Sequence, residues 1–295
     1  MVESYIRLHF SIDFSFNKWY NTNVFFLKGE LSVDFVNFLL SFLLQLLFTV
    51  GVIVIFGFLI SLCNRIFYSN FGSWSRGVCY VTGFIGTPVH ECSHALFCLI
   101  FGHRIEEMKL FQIDDGDGTL GYVYHSYNKK NVYHIIGNFF IGIAPILVIT
   151  ALLYLLAIPL APEMLNGIFT SIGTLDVSQG FLNPLTVLWQ VIVSIFSSVV
   201  SFKWWIFVFI GTFLCLHATL SGADIKSTLG GGAILIGALL VVDFVLALIG
   251  TNVLTAFTNA IVSFGICLSS FLLLSLAISL IAVLFSFLVK IIFRR

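Results

Sequence analysis

The stretch FVNFLLSFLLQLLFTVGVIVIFGFLISL, residues 35–62, contains no charged side chain. About 20 apolar residues in a helix are long enough to cross the hydrocarbon core of a bilayer, so this stretch predicts a membrane-spanning helix. The whole chain has the same character, with 59% hydrophobic and 9% charged residues. A soluble domain carries about 25% charged residues. The composition therefore predicts an all-α polytopic membrane protein and places the chain outside the class of soluble domains.

Further apolar runs follow along the chain and are separated by short polar links. The region 185–220 is too long for one straight crossing and is interrupted by Lys203, which leaves open whether 185–201 spans the membrane or lies at its surface. We predict about six transmembrane helices, in the runs 35–62, 77–101, 132–158, about 204–220, 229–250 and 264–289.

Domain organisation and orientation follow from the same pattern. Residues 1–34 form an N-terminal juxtamembrane segment, and 35–293 form a single membrane-embedded domain with its core at about 77–250. Basic residues are retained on the cytoplasmic side, and the loop that ends near Pro184 contains no Lys or Arg, so both termini are expected in the cytoplasm.

The net charge is zero and no basic block is present, which argues against a nucleic-acid partner.

The most polar part of the chain, 105–130, lies between the second and third predicted helices. Two β-capable segments, MKLFQI (108–113) and LGYVYHSY (120–127), flank the sequence DDGDGT. Such a pattern predicts a small β-hairpin around an Asp/Gly turn. DDGDG also resembles half of a calcium loop, but the later glutamate of that loop is missing, so the turn is preferred.

The second predicted helix contains the motif His90-Glu91-Cys92-Ser93-His94. Residues four apart leave the same face of a helix one turn apart, so both imidazoles can bind one zinc ion at about 2.0–2.1 Å. Glu91 lies beside them and can accept a proton from a metal-bound water. Random placement of seven histidines and six glutamates gives roughly 0.003 such matches. The alternative is a pair of histidines that hydrogen-bond to other helices.

Zinc hydrolases usually use a third protein ligand, which must come from elsewhere in the chain. Asp224 is preferred because Ser221-Gly222 allows the chain to turn, and because it falls at the depth predicted for the two histidines. Its alternative role is to cap a helix that begins near Ile225. Asp243 is expected in the middle of a helix, where it could pair with a polar group on another helix. The acidic candidates are Glu163, Asp176, Asp224 and Asp243.

Two more polar residues lie within apolar runs. Asn138 could bind the substrate backbone or a developing oxyanion, or it could make an interhelical hydrogen bond. His217 precedes Asp224 by seven residues and could be a ligand, a support for a ligand, a substrate contact or a core histidine bonded to another helix. Gly137 and Gly142 are expected to permit close helix approach.

Taken in order, HECSH in a spanning helix, a hairpin-like polar stretch, GNFFIGIAP (137–145) and SGADIK (221–226) resemble the site-2 proteases, zinc metalloproteases that cut within the membrane. The resemblance covers roughly 77–232. It implies Zn²⁺ held by His90, His94 and Asp224, with Glu91 as general base. The implied substrate is a single transmembrane helix of another membrane protein in the lipid bilayer. Many members carry the third ligand in an Asp-Gly context, whereas Ile225 follows here, so the chain resembles a divergent branch.

Two other classes compete with this interpretation. Membrane zinc proteases of the CAAX-processing type also carry HExxH, but their third ligand is a downstream glutamate. The downstream glutamates here are Glu106, Glu107 and Glu163, and none lies in a later predicted membrane helix. A non-proteolytic metal-binding or transport protein is the second class, and transport would favour inverted repeats, which the sequence does not show.

Overall fold

The computed structural model describes residues 34–113, 119–180 and 182–293. The segment 1–33 and the predicted Asp/Gly turn at 114–118 lie outside the described residues. The elements within them are α1 (Phe35–Leu46), α2 (Val52–Asn70), α3 (Ser75–Ile100), β1 (Arg104–Lys109), β2 (Tyr122–Ser126), α4 (Val132–Leu160), α5 (Pro162–Ile172), α6 (Leu182–Ile195), α7 (Phe202–Cys215), α8 (Gly222–Ile249) and α9 (Thr251–Phe293).

Four helical segments of the described chain are long and apolar enough to cross a membrane, which is compatible with a membrane protein. They are Phe35–Asn70, Val132–Leu160, Gly222–Ile249 and Thr251–Phe293. Two of the six predicted crossings do not meet these criteria. Helix α3 has 26 residues and is long enough, but its histidines and glutamate reduce its hydropathy. Helix α7 has 14 residues, shorter than the roughly 20 needed to cross alone.

The first membrane helix is longer than its apolar run. The predicted run is 35–62, and the polar residues Asn64 and Arg65 follow it, but the helix continues to Asn70, with a π-helical turn at Leu47–Gly51 joining α1 to α2. Asn64 is buried, and its amide donates hydrogen bonds to the carbonyls of Cys215 and Leu216 at 3.3 and 2.9 Å. A polar side chain therefore ends the apolar pattern without ending the helix, because its hydrogen bonds are made to a neighbouring segment.

The region between the third and fifth predicted crossings is also more helical than expected. Pro159 lies in the last turn of α4 rather than ending it, and Pro162 occupies the first turn of α5, where its missing N–H costs nothing. The apolar region 185–220 is divided at 196–201 into two separate short helices, α6 and α7. The interruption thus precedes Lys203.

Glycine residues allow helices α4 and α8 to pack closely together. A Cβ at Gly142 of α4 would lie 2.8 Å from the backbone oxygen of Asp224 on α8. A Cβ at Gly231 of α8 would lie 2.3 Å from the backbone oxygen of Ile135 on α4. These two glycines allow the backbones of α4 and α8 to approach more closely than larger residues would permit. The first turn of α8 is consequently held against the middle of α4.

The predicted hairpin is confirmed, with a different first strand. Strands β1 and β2 are antiparallel, Arg104 lies opposite Ser126, and an irregularity separates Ile105 from Glu107. The first strand starts four residues before MKLFQI and ends within it. Beyond the strand, the N–H of Gln112 still donates to the carbonyl of Leu120 at 2.7 Å.

Candidate metal centre

The imidazoles of His90 and His94 face each other one helical turn apart on α3. Their Nε2 atoms are 3.2 Å apart. The Nδ1 atom of His90 lies 2.8 Å from the carbonyl oxygen of His217, and the Nδ1 atom of His94 lies 2.8 Å from that of Ile141. A carbonyl oxygen only accepts, so each Nδ1 must carry a proton, and Nε2 is the ring nitrogen left to bind a metal ion. Metal-binding histidines are oriented by the same kind of bond.

Asp224 completes the group from the first turn of α8. Its Oδ1 lies 3.6 Å from Nε2 of His94, and one ligand atom from each of His90, His94 and Asp224 lies within 4.8 Å of the others. Two atoms bound to one tetrahedral zinc at about 2.0–2.2 Å are about 3.3–3.6 Å apart. The separations of 3.2 Å between His90 and His94 and 3.6 Å between His94 and Asp224 are close to this range and are compatible with a single zinc ion.

The carboxylate of Asp224 is oriented by a capping box. Its Oδ2 accepts a hydrogen bond from the N–H of Ser221 at 2.8 Å, and its own N–H donates to Oγ of Ser221 at 3.1 Å. The alternative in which Asp224 is itself the N-cap of a helix from near Ile225 is wrong, because α8 begins at Gly222 and Ser221 is the N-cap. One oxygen of Asp224 thus serves the helix end, and the other is directed to the histidines.

The chemistry of the three donors favours a cation. Two imidazole lone pairs that face each other at 3.2 Å repel, and a carboxylate beside them adds negative charge. A divalent ion placed between them converts this repulsion into attraction. Two histidines and one carboxylate are also a ligand set of catalytic zinc sites, which leave a fourth position open.

Glu91 is buried between α3 and the hairpin, with 7% of its surface exposed. A Cβ at Gly121, the residue before β2, would lie 2.8 Å from Cγ of Glu91 and 2.9 Å from Cγ2 of Thr87. The hairpin backbone therefore lies directly against the carboxylate stem. The sequence carried a usable signal for this contact, since an isolated glycine in a strand pattern indicates close backbone approach.

The other acidic candidates take different partners. Asp243 is fully buried, and its Oδ1 accepts a hydrogen bond at 3.0 Å from Gln45, which also donates to Thr258 at 3.0 Å. Asp243 therefore pairs with a polar group on another helix, as the sequence analysis considered. Asp176 is half-buried, and its hydrogen bonds from the hydroxyl and N–H of Ser178 lower its pKa. Neither residue, nor Glu163, belongs to a possible metal-binding group among the residues described.

The glutamates that a CAAX-type site would require are also engaged elsewhere. Glu106 accepts a hydrogen bond from the hydroxyl of Ser126 at 2.5 Å, and Glu107 accepts one from the hydroxyl of Tyr122. Both bonds connect the two strands of the hairpin. The acidic side chain that reaches the imidazoles is Asp224.

His217 supports the group through its backbone rather than its ring. Its carbonyl oxygen is the partner of His90 Nδ1. The ring nitrogens lie 3.3–3.4 Å from the hydroxyls of Tyr68, Thr82 and Thr87. The ring is therefore hydrogen-bonded to neighbouring helices, which matches one of its expected roles, while the carbonyl contact was not visible in the sequence.

Asn138 lies on α4, three residues before the Ile141 carbonyl that holds His94. It is 4% exposed, and its Oδ1 has no hydrogen-bond partner within the described part of the chain. An unpaired buried acceptor costs about 1–3 kcal/mol.

Part of the chain matches a known protein family. Residues 83–198 match a family model described as "Putative zincin peptidase". The matched range contains the histidine motif, the hairpin and α4, and it ends before Asp224. The chain is therefore similar to a family of zinc metallopeptidases, and the family's description implies zinc. No curated protein and no solved structure matches the chain.

Proposed function

We propose that this protein is an intramembrane zinc metalloprotease that cleaves a transmembrane segment of another membrane protein. The observation that carries the proposal is the convergence of His90, His94 and Asp224, whose spacing suits one tetrahedral zinc ion. The similarity to zinc metallopeptidases supports the peptidase class. The four long apolar helices support a membrane setting for the substrate.

In this mechanism His90, His94 and Asp224 hold the zinc, which supplies Lewis acidity and a lower pKa for water at this position. Glu91 accepts a proton from the attacking water and returns it to the amine that leaves. The Oδ1 atom of Asn138 accepts a hydrogen bond from an N–H of the unwound substrate. Its lack of a partner in the described chain supports this role.

The hairpin would present the substrate in an extended form. A peptide bond within a helix is shielded by its own hydrogen bonds, so the substrate must unwind locally before attack. A two-stranded sheet has unpaired edges that can add an extended segment as a further strand. Gly121 holds the hairpin against Glu91, so a strand added there would lie close to the general base.

The topology proposed for this function has about six crossings and places both termini in the cytoplasm. Helix α3 would be a crossing despite its polar motif, because a bound cation offsets the cost of His90, Glu91 and His94 at membrane depth. The short helices α6 and α7 together would supply the remaining membrane-embedded segment.

The experiment compares cells that carry the parent protein with cells that carry Glu91→Gln. The parent is expected to generate membrane-protein fragments cut within transmembrane segments, and Glu91→Gln is expected to lose them while the purified protein keeps its zinc. Fragments cut only at lipid-modified C-termini would indicate the CAAX-type alternative. Identical fragments in both cell lines, with zinc bound, would indicate a non-proteolytic metal-binding or transport protein.

A further inference from the structure

The C-terminal end of α3 is folded into a Schellman motif. Gly102 has a φ of +68°, its N–H donates to the carbonyl of Leu99 at 3.3 Å, and the N–H of His103 donates to that of Cys98 at 2.8 Å. In this motif the residue after the glycine packs against a residue in the last helical turn, and the pair is commonly apolar. Here the pair is His103 and Cys98, so the backbone itself brings an imidazole and a thiol together.

Strand β2 adds a second imidazole to this pair. The Nδ1 atoms of His103 and His125 are 3.0 Å apart. The sulfur of Cys98 and one nitrogen of each ring all lie within 4.8 Å of one another. Nε2 of His103 lies 3.0 Å from the carbonyl oxygen of His134, so it carries the proton and leaves a lone pair at Nδ1. His103 is therefore oriented by a backbone carbonyl in the same way as His90 and His94.

Two members of the cluster are buried, and aromatic rings flank it. Cys98 is 0% exposed and His103 is 4% exposed. The ring of His103 stacks on Tyr127 and His134 with centroid distances of 5.0 and 5.3 Å.

We propose that Cys98, His103 and His125 form a second zinc site, separate from the His90 group, that fastens β2 to the end of α3. One thiolate and two imidazoles suit zinc and leave a fourth position for water. Binding would transfer the thiol proton of Cys98 to solvent. The site would hold the hairpin in place over Glu91, and its existence does not depend on proteolytic activity.

The test uses the full chain purified in detergent and loaded with Co²⁺, which reports a thiolate ligand through a near-ultraviolet charge-transfer band. The parent should show this band and bind two ions per chain. Cys98→Ala should lose the band and one ion. Asp224→Ala should lose one ion and keep the band, because the His90 group contains no sulfur. Cys92→Ala, which removes an exposed thiol from the same helix, should keep the band and both ions.

A second variant covers the case in which Cys98→Ala does not fold. His125→Ala changes a half-buried strand residue and should also remove one ion and weaken or shift the band. The proposal is overturned if the parent shows no thiolate band, or if the band persists unchanged in the Cys98 and His125 variants. If Asp224→Ala loses no metal while Cys98→Ala does, the second site stands and the proposed catalytic site fails.

Discussion

Substitution of Gly142 by alanine should weaken zinc binding without changing a ligand side chain. The added Cβ would lie 2.3 Å from Cγ2 of Thr228 and 2.8 Å from the backbone oxygen of Asp224. Carbon atoms in contact are normally about 3.5–4.0 Å apart. Rotation of Thr228 can relieve the first contact, but the second is with backbone. The first turn of α8 must therefore move by about 0.5 Å or more, because favourable C···O contacts begin near 3.3 Å.

A displacement of this size matters because zinc–ligand distances tolerate only about ±0.2 Å. Oδ1 of Asp224 is carried by the same turn, and it already lies 3.6 Å from Nε2 of His94. We expect the affinity for zinc to fall about 10–100-fold, the range seen when the support of a ligand is lost. This corresponds to about 1.4–2.8 kcal/mol. Crowding of α4 against α8 should lower stability by about 1–3 kcal/mol in addition.

The assay is a chelator titration of the purified, zinc-loaded protein, with retained zinc measured by mass spectrometry. Because a second zinc site is also proposed, the zinc bound at the His90 site is identified as the portion of the total zinc that the Asp224→Ala variant no longer binds. Gly230→Ala is the matched control, because its Cβ on α8 would meet only Cγ2 of Ile135, at 3.8 Å, which is an ordinary contact. That variant should keep parental affinity. If Gly142→Ala also keeps parental affinity, the tight packing of α4 on α8 does not position Asp224.

Three further variants separate the remaining roles. Gly121→Ala places a methyl group 2.8 Å from Cγ of Glu91, so cleavage should fall about tenfold or more with zinc content unchanged, and unchanged cleavage would refute this contact. Asn138→Ala removes an unpaired acceptor, so cleavage should fall while thermal stability holds or rises; a lower unfolding temperature would instead indicate a structural role. Asp243→Ala leaves the Gln45 amide without its carboxylate partner, so the free energy of unfolding in detergent should fall by about 1–3 kcal/mol. Bound zinc should not change. A loss of zinc would contradict the assignment of Asp243 to an interhelical hydrogen bond.

The long apolar helices could be predicted because twenty consecutive apolar residues are a local property of the chain. The runs at 35–62 and 132–158 each correspond to an observed helix that could cross a membrane. The ends of these helices were predicted too early, because a polar residue or a proline can end an apolar run without ending the helix. Asn64 is polar but hydrogen-bonded to another segment, and Pro159 is tolerated in a final helical turn.

The same distinction applies to the candidate site, where features set by local sequence could be predicted and features set by tertiary packing could not. The common face of His90 and His94 follows from helical spacing, and the close approach at Gly142 follows from a small residue in an apolar run. The carbonyl contacts of His217 and Ile141 could not be predicted, because every residue carries a carbonyl and only tertiary packing selects these two. The shared use of Asp224 by a capping box and by the histidines likewise depends on where α8 begins.

The most direct test of the central claim is to locate zinc in crystals of the detergent-purified protein by anomalous scattering. The account predicts a zinc peak about 2.0–2.2 Å from Nε2 of His90, Nε2 of His94 and an oxygen of Asp224. A structure of the zinc-saturated protein without a peak between the two rings, and with the Asp224 carboxylate turned away from them, would contradict it.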